Sequence, residues 1–197
     1  MEKILGFLCC LFLFSLAHAE FAVKSYRDIR SELLIRQTYE QSCGAAALAT
    51  LINLLDSKKL TELDVLQKMS DKNQPLNTDM VSFKQLEITA EKLDYESRSY
   101  RLQREILDKF PIPLLVKIED DPRFPHFVIV INHSGDYITI LDPSFGIYLS
   151  SKSQFYSLWD RNRQGGFGLV LKPKNRDMPH YSPEIPPKAL FERLPRW

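Results

Sequence analysis

Apolar positions along this chain recur first at helical and later at strand spacing. The run Cys43-Gly44-Ala45-Ala46-Ala47-Leu48-Ala49-Thr50-Leu51-Ile52-Asn53-Leu54-Leu55 is apolar nearly all round, which is the pattern of a helix buried on most sides. Ser42 stands at its N-cap position, so Cys43 falls in the first turn. Residues 61–69 and 82–93 read as two more helices, the second opening with Ser82 and Gln85 at capping-box spacing. Strands are predicted at 97–102, at 112–118 behind the Pro111 and Pro113 punctuation, and at 126–132, 137–141, 146–149 and 167–171. Residues 103–109 and 153–159 read as short helices. Helices lead and strands follow, an α+β order with N-terminal helices packed on a mainly antiparallel sheet.

The two ends differ from this body. Lys3 is followed by an apolar stretch over 4–16 and then by Ala17-His18-Ala19, an A-x-A cleavage signature. Residues 1–19 therefore read as a secretory signal peptide, and the chain is expected to be exported, to a periplasm or to the cell surface. Residues 20–33 form a polar lead-in, 34–172 a single domain, and 173–197 a tail that holds six of the 12 Pro. No other stretch is long enough to span a bilayer, so no stable membrane span is expected after signal cleavage.

Charge and composition then remove whole classes of function. The 26 Lys+Arg and 25 Asp+Glu are interspersed along the 197 residues, whereas a nucleic-acid binder concentrates basic residues into a patch or stripe. The seven Gly form no phosphate cradle, which sets nucleotide chemistry aside as well. No cofactor or metal is implied. A hydrophobic content of 44% supports a packed core.

Of the three Cys, Cys9 and Cys10 lie in the signal segment, and Cys43 is left as a lone thiol. Exported cysteines normally pair, so Cys43 is either a small buried hydrophobe or a nucleophile. A thiol at a helix N-terminus lies beside unpaired N–H groups and the positive end of the helix dipole, and both favour thiolate over thiol. Gly44 either admits a substrate backbone or serves close helix packing. Residues 126–132 and 137–141 form a natural hairpin around His133-Ser134-Gly135. Pairing Asn132 with Asp136 and carrying the ladder back places His126 directly opposite Asp142, where an imidazole–carboxylate bond is within reach. Each residue alone has a plainer reading, His126 as a strand-end residue beside Pro125 and Asp142 as a turn starter before Pro143. His133 in the turn and His180 in the tail are less well placed. The candidate set is Cys43, His126 and Asp142, the order of a thiol hydrolase.

Three motifs now carry a resemblance. Gln37-x5-Cys43-Gly44-Ala45-Ala46-Ala47-Leu48, Pro125-His126-Phe127-Val128-Ile129-Val130 and Leu141-Asp142-Pro143-Ser144-Phe145-Gly146 resemble the papain-like double-glycine cysteine peptidases, the bacteriocin-processing family, over residues 34–171. The resemblance implies a papain-like fold and adds Gln37, whose amide together with the Cys43 N–H would form the oxyanion hole. It implies Cys43 as nucleophile, His126 as proton carrier and Asp142 as its orienting partner. Two departures stand out. Family members commonly have Asp where this chain has Ser42, and the best-known members are domains of export ATPases, whereas this chain resembles a stand-alone exported member. The substrate would be an exported protein or peptide, cut after a small or Gly-Gly segment. The alternative class is a non-catalytic papain-like module that binds or chaperones an exported partner. An acyl-transfer variant would use the same site. The chain's own Gly165-Gly166 reads as a turn before the last strand.

Overall fold

Side-chain caps start most of the helices. The computed structural model describes residues 24–174 apart from 57, 71–74, 77, 122 and 134. The signal-like segment and nearly all of the Pro-rich tail lie outside the described residues. Helix α1 (Tyr26–Ile29), α3 (Glu62–Met69) and α4 (Phe83–Lys92) each begin with a complete capping box, from Ser25/Asp28, Thr61/Asp64 and Ser82/Gln85 respectively. Helix α2 (Cys43–Asp56) is the Ala- and Leu-rich run, buried along most of its length. Two further helices are α5 (Arg104–Leu107) and α6 (Lys152–Trp159).

The strands are β1 (Tyr95–Leu102), β2 (Leu114–Ile118), β3 (His126–Asn132), β4 (Tyr137–Asp142), β5 (Gly146–Ser151) and β6 (Gly166–Pro173). They form one sheet in the order β1-β6-β2-β3-β4-β5, antiparallel at every pairing. Alternate side chains of the central strands enter two separate cores. Leu115, Phe127, Ile129 and Ile131 join Leu48, Leu51 and Ile52 of α2, while Leu114, Val116, Val128 and Val130 join Phe155 and Trp159 of α6. Covering both faces explains why β3 is a continuous apolar run and not an alternating one.

Two expectations are corrected here. The β3–β4 ladder pairs Asn132 with Ile138 and Ile129 with Leu141, two residues away from the register in which Asn132 meets Asp136. The connection is longer than three residues because it is tied down: His133 Nε2 lies 2.7 Å from Thr139 Oγ1, and the Lys152 N–H donates to Asp136 O at 2.7 Å. Gly135 does take the left-handed conformation, at φ 91°. A slip of two keeps the faces, so Asp142 moves from directly opposite His126 to its diagonal neighbour, still within reach of a long side chain. The second correction concerns the lead-in. Within it, Ile29 and Leu33 pack against the helix-side core and Arg30 is buried.

Gly44 serves packing. A Cβ built there would run into Val81 Cγ2, with Phe127 Cδ2 at 3.3 Å and Leu86 Cδ2 at 3.5 Å. Gly44→Ala is therefore expected to destabilise the protein by about 1–3 kcal/mol through overpacking, measured by denaturant unfolding. An unchanged unfolding free energy would mean that Val81 moves aside freely.

Candidate active site

The site is built from the ends of three elements. Cys43 is the first residue of α2, His126 the first of β3 and Asp142 the last of β4. His126 Nε2 lies 2.8 Å from Asp142 Oδ1. The Cys43 side chain acts on the same ring and raises its pKa. With Nε2 facing the carboxylate, Nδ1 is left for the sulfur. Cys43 is 5% exposed and is the free cysteine of the described residues.

Burial is the largest influence on His126 and disfavours its charge, but the hydrogen bond and negative charge of Asp142, helped by Cys43, outweigh it. The ring's pKa is pushed up to about 10. Burial likewise works against the Asp142 carboxylate, yet His126 and the N–H groups of Phe145 and Ser144 hold its pKa below the usual carboxylate value. Those two N–H groups donate to Oδ1 at 3.1 and 2.8 Å, so the same oxygen that faces the imidazole is fixed by the turn that follows it.

Gln37 reaches the site through that turn. Its N–H donates to Pro143 O at 3.1 Å, and its Oε1 accepts from the Ser144 hydroxyl at 2.7 Å. Nε2 donates to Tyr39 O at 3.0 Å and to Glu40 O at 2.9 Å, inside its own loop. Ser42 departs from its expected capping role: its hydroxyl is engaged by Glu62 and by both main-chain groups of Tyr39. The backbone of Ser42 still opens α2, accepting from Ala46 N–H at 3.1 Å.

Sequence reasoning missed the strap that backs the Asp142 turn. Arg30 O accepts from Ile147 N–H at 2.8 Å, Arg30 Nε donates to Ile147 O at 3.1 Å, and Arg36 donates to Ser144 O. The Arg30 guanidinium lies 4.3 Å from the centre of the Phe145 ring. The signal available was the basic pair Arg30 and Arg36 set among Leu33, Leu34 and Ile35 in a segment otherwise read as polar. Of the remaining histidines, His133 sits at the other end of the hairpin, and His180 lies outside the described residues. Among the described residues no group of three or more His, Cys, Asp or Glu side chains could hold a metal ion, and no helix is long and apolar enough to cross a membrane.

A thiol, an imidazole and a carboxylate in line can generate a nucleophile and return its proton to a leaving group. A profile described as the peptidase C39 family matches residues 31–164. The chain belongs to this family. The family is one of peptidases, and the fold is papain-like. A Pseudomonas aeruginosa protein named as a probable functional amyloid protease, FapD, is 30% identical over 140 residues, covering 70% of this chain and 62% of its own length. The processing and transport ATP-binding protein of lactococcin G from Lactococcus lactis is 27% identical over 156 residues, covering 77% of this chain and 20% of its own. The chain thus spans under two thirds of these curated relatives. The Streptococcus ComA peptidase domain shares the fold at TM-score 0.60 and 22% identity, covering 71% of this chain and 97% of that domain. A double-glycine-motif protease solved with a leader peptide matches at TM-score 0.57 and 26% identity, covering 71% of this chain and 90% of that one.

The raised His126 pKa makes a signed prediction. A group protonated more tightly in the folded state contributes stability that is complete below its unfolded pKa, near 6.5, and is lost as the pH climbs through about 10. The stability difference between wild type and Asp142→Asn, measured by urea unfolding, is expected to be largest near the lower value and to shrink toward the upper one. A difference constant across that range would contradict the pairing.

Proposed function

We propose that this chain is an exported thiol peptidase that cleaves an exported protein or peptide after a small or Gly-Gly segment. The observation that carries the reading is the His126–Asp142 contact at 2.8 Å, with the Cys43 side chain acting on the same ring. Export rests on the apolar segment and the Ala17-His18-Ala19 signature of the sequence. Specificity is supported by likeness to the double-glycine-motif protease, and the relative named as a probable functional amyloid protease suggests a functional amyloid protein as substrate.

The chemistry follows from the positions. With the thiol proton held by His126, the Cys43 sulfur attacks the scissile carbonyl carbon, and the carbonyl π pair moves onto oxygen. The Cys43 N–H and one Gln37 amide hydrogen, drawn from its bonds to Tyr39 O and Glu40 O, hold that oxygen. The intermediate collapses as the C–N bond breaks and His126 gives its proton to the departing amine. Water, deprotonated by His126, then opens the thioester and restores Cys43. Asp142 keeps the ring oriented and favours its charged form throughout.

Two experiments test this. A fluorogenic peptide carrying a Gly-Gly bond is expected to be cut by wild type, not by Cys43→Ala, and with kcat reduced about 10²–10³-fold by Gln37→Ala. N-terminal sequencing of exported proteins is expected to show at least one mature terminus after Gly-Gly that disappears in Cys43→Ala cells. Identical termini in both strains would overturn the proposal in favour of a non-catalytic binding module.

A further inference from the structure

Glu62 is a buried acid that the chemistry above leaves unused. It opens α3 and is 6% exposed. Both its oxygens accept the Thr38 N–H, each at 3.0 Å, and Oε1 also receives the Ser42 hydroxyl. Thr38 directly follows Gln37, and Ser42 directly precedes Cys43. One carboxylate thus fastens both ends of the loop between the two groups assigned to the tetrahedral oxygen.

The frame behind Glu62 is itself fixed. The Thr61/Asp64 capping box sets the first turn of α3. The Asn53 side chain of α2 both donates to Leu60 O and accepts from Leu60 N–H, each at 2.8 Å, so the approach to Glu62 is locked onto α2. Burying a carboxylate is costly unless its lone pairs are used. A side chain placed only to fill space would do so more cheaply as a hydrocarbon. Here the lone pairs are directed at the loop and set its geometry from outside.

We infer that Glu62 is a positioning residue: its grip on Thr38 and Ser42 sets the spacing between the Gln37 amide and the Cys43 N–H, on which stabilisation of the tetrahedral oxygen depends. This rests on the oxyanion role proposed for those two groups. Glu62→Gln keeps the size of the side chain but turns an NH2 group toward a donor. Because a misplacement of about 1 Å can cost up to about 10²-fold in rate, a kcat loss of about tenfold is expected, with KM unchanged.

The test measures kcat and KM per alkylatable Cys43 in the full chain, on the Gly-Gly peptide. Glu62→Gln is made in wild type and in Gln37→Ala, and Ser42→Ala is made in wild type. The expected result is a tenfold kcat loss for Glu62→Gln in wild type, a much smaller one once Gln37 is gone, and an intermediate loss for Ser42→Ala. An equal factor in both backgrounds, or kcat per thiol unchanged while stability falls, would show a purely structural role and overturn the inference. If Gln37→Ala alone leaves kcat unchanged, the oxyanion role fails and Glu62's part in it fails with it. If Glu62→Gln does not fold, Ser42→Ala decides: an unchanged kcat overturns the inference, and a loss with KM intact supports it.

Discussion

The contact between His126 and Asp142 is the constraint around which the rest of the site is arranged. It lies beyond the last ladder pair of β3 and β4, Ile129 with Leu141, where main-chain pairing no longer holds the strands to each other. The side chains must close that gap themselves. The carboxylate can do so because its Oδ1 is pinned by the N–H groups of Ser144 and Phe145, and the turn carrying those groups is clasped by Arg30 and Arg36. Helix α2 then needs only to deliver its first residue, Cys43, to the free side of the ring.

The electrostatics follow from a competition that burial does not win. Desolvation is the largest single influence on both His126 and Asp142 and favours the neutral form of each. The mutual hydrogen bond, the Cys43 contact and two turn N–H donors together exceed it. A buried ion pair is favourable only when its remaining hydrogen-bonding capacity is used, and the Asp142 turn supplies that condition. Removing one partner would leave a buried, unmatched group, so each member depends on the others.

Much of this was legible in the sequence because it is local. The Cys43 helix, the Ser82/Gln85 capping box and the 126–132 strand follow from residue patterns of a few turns or pleats, and the structure has them within a residue or two. The hairpin register was not local in that sense. It depends on His133 meeting Thr139 and on Lys152 reaching back to Asp136. Pairing parity survived the two-residue slip, which is why His126 and Asp142 still meet. The strap and Glu62 were illegible for a different reason. Arg30, Arg36 and Glu62 look like solvated charges in the sequence, and only contacts with residues far along the chain bury them or give them partners. Gly44 was open to two readings, and Val81, a residue of no distinction in the sequence, decides for packing.

The charge on the imidazole is the most direct measure of the arrangement. Observing the two ring nitrogens of His126 by 15N NMR across a pH titration would report it without any substrate. The arrangement predicts that both nitrogens stay protonated well above neutrality and that the ring loses its proton only near pH 10. It also predicts that Asp142→Asn and Cys43→Ala each bring the midpoint down. A ring already neutral at pH 8 in the wild-type protein would contradict the account.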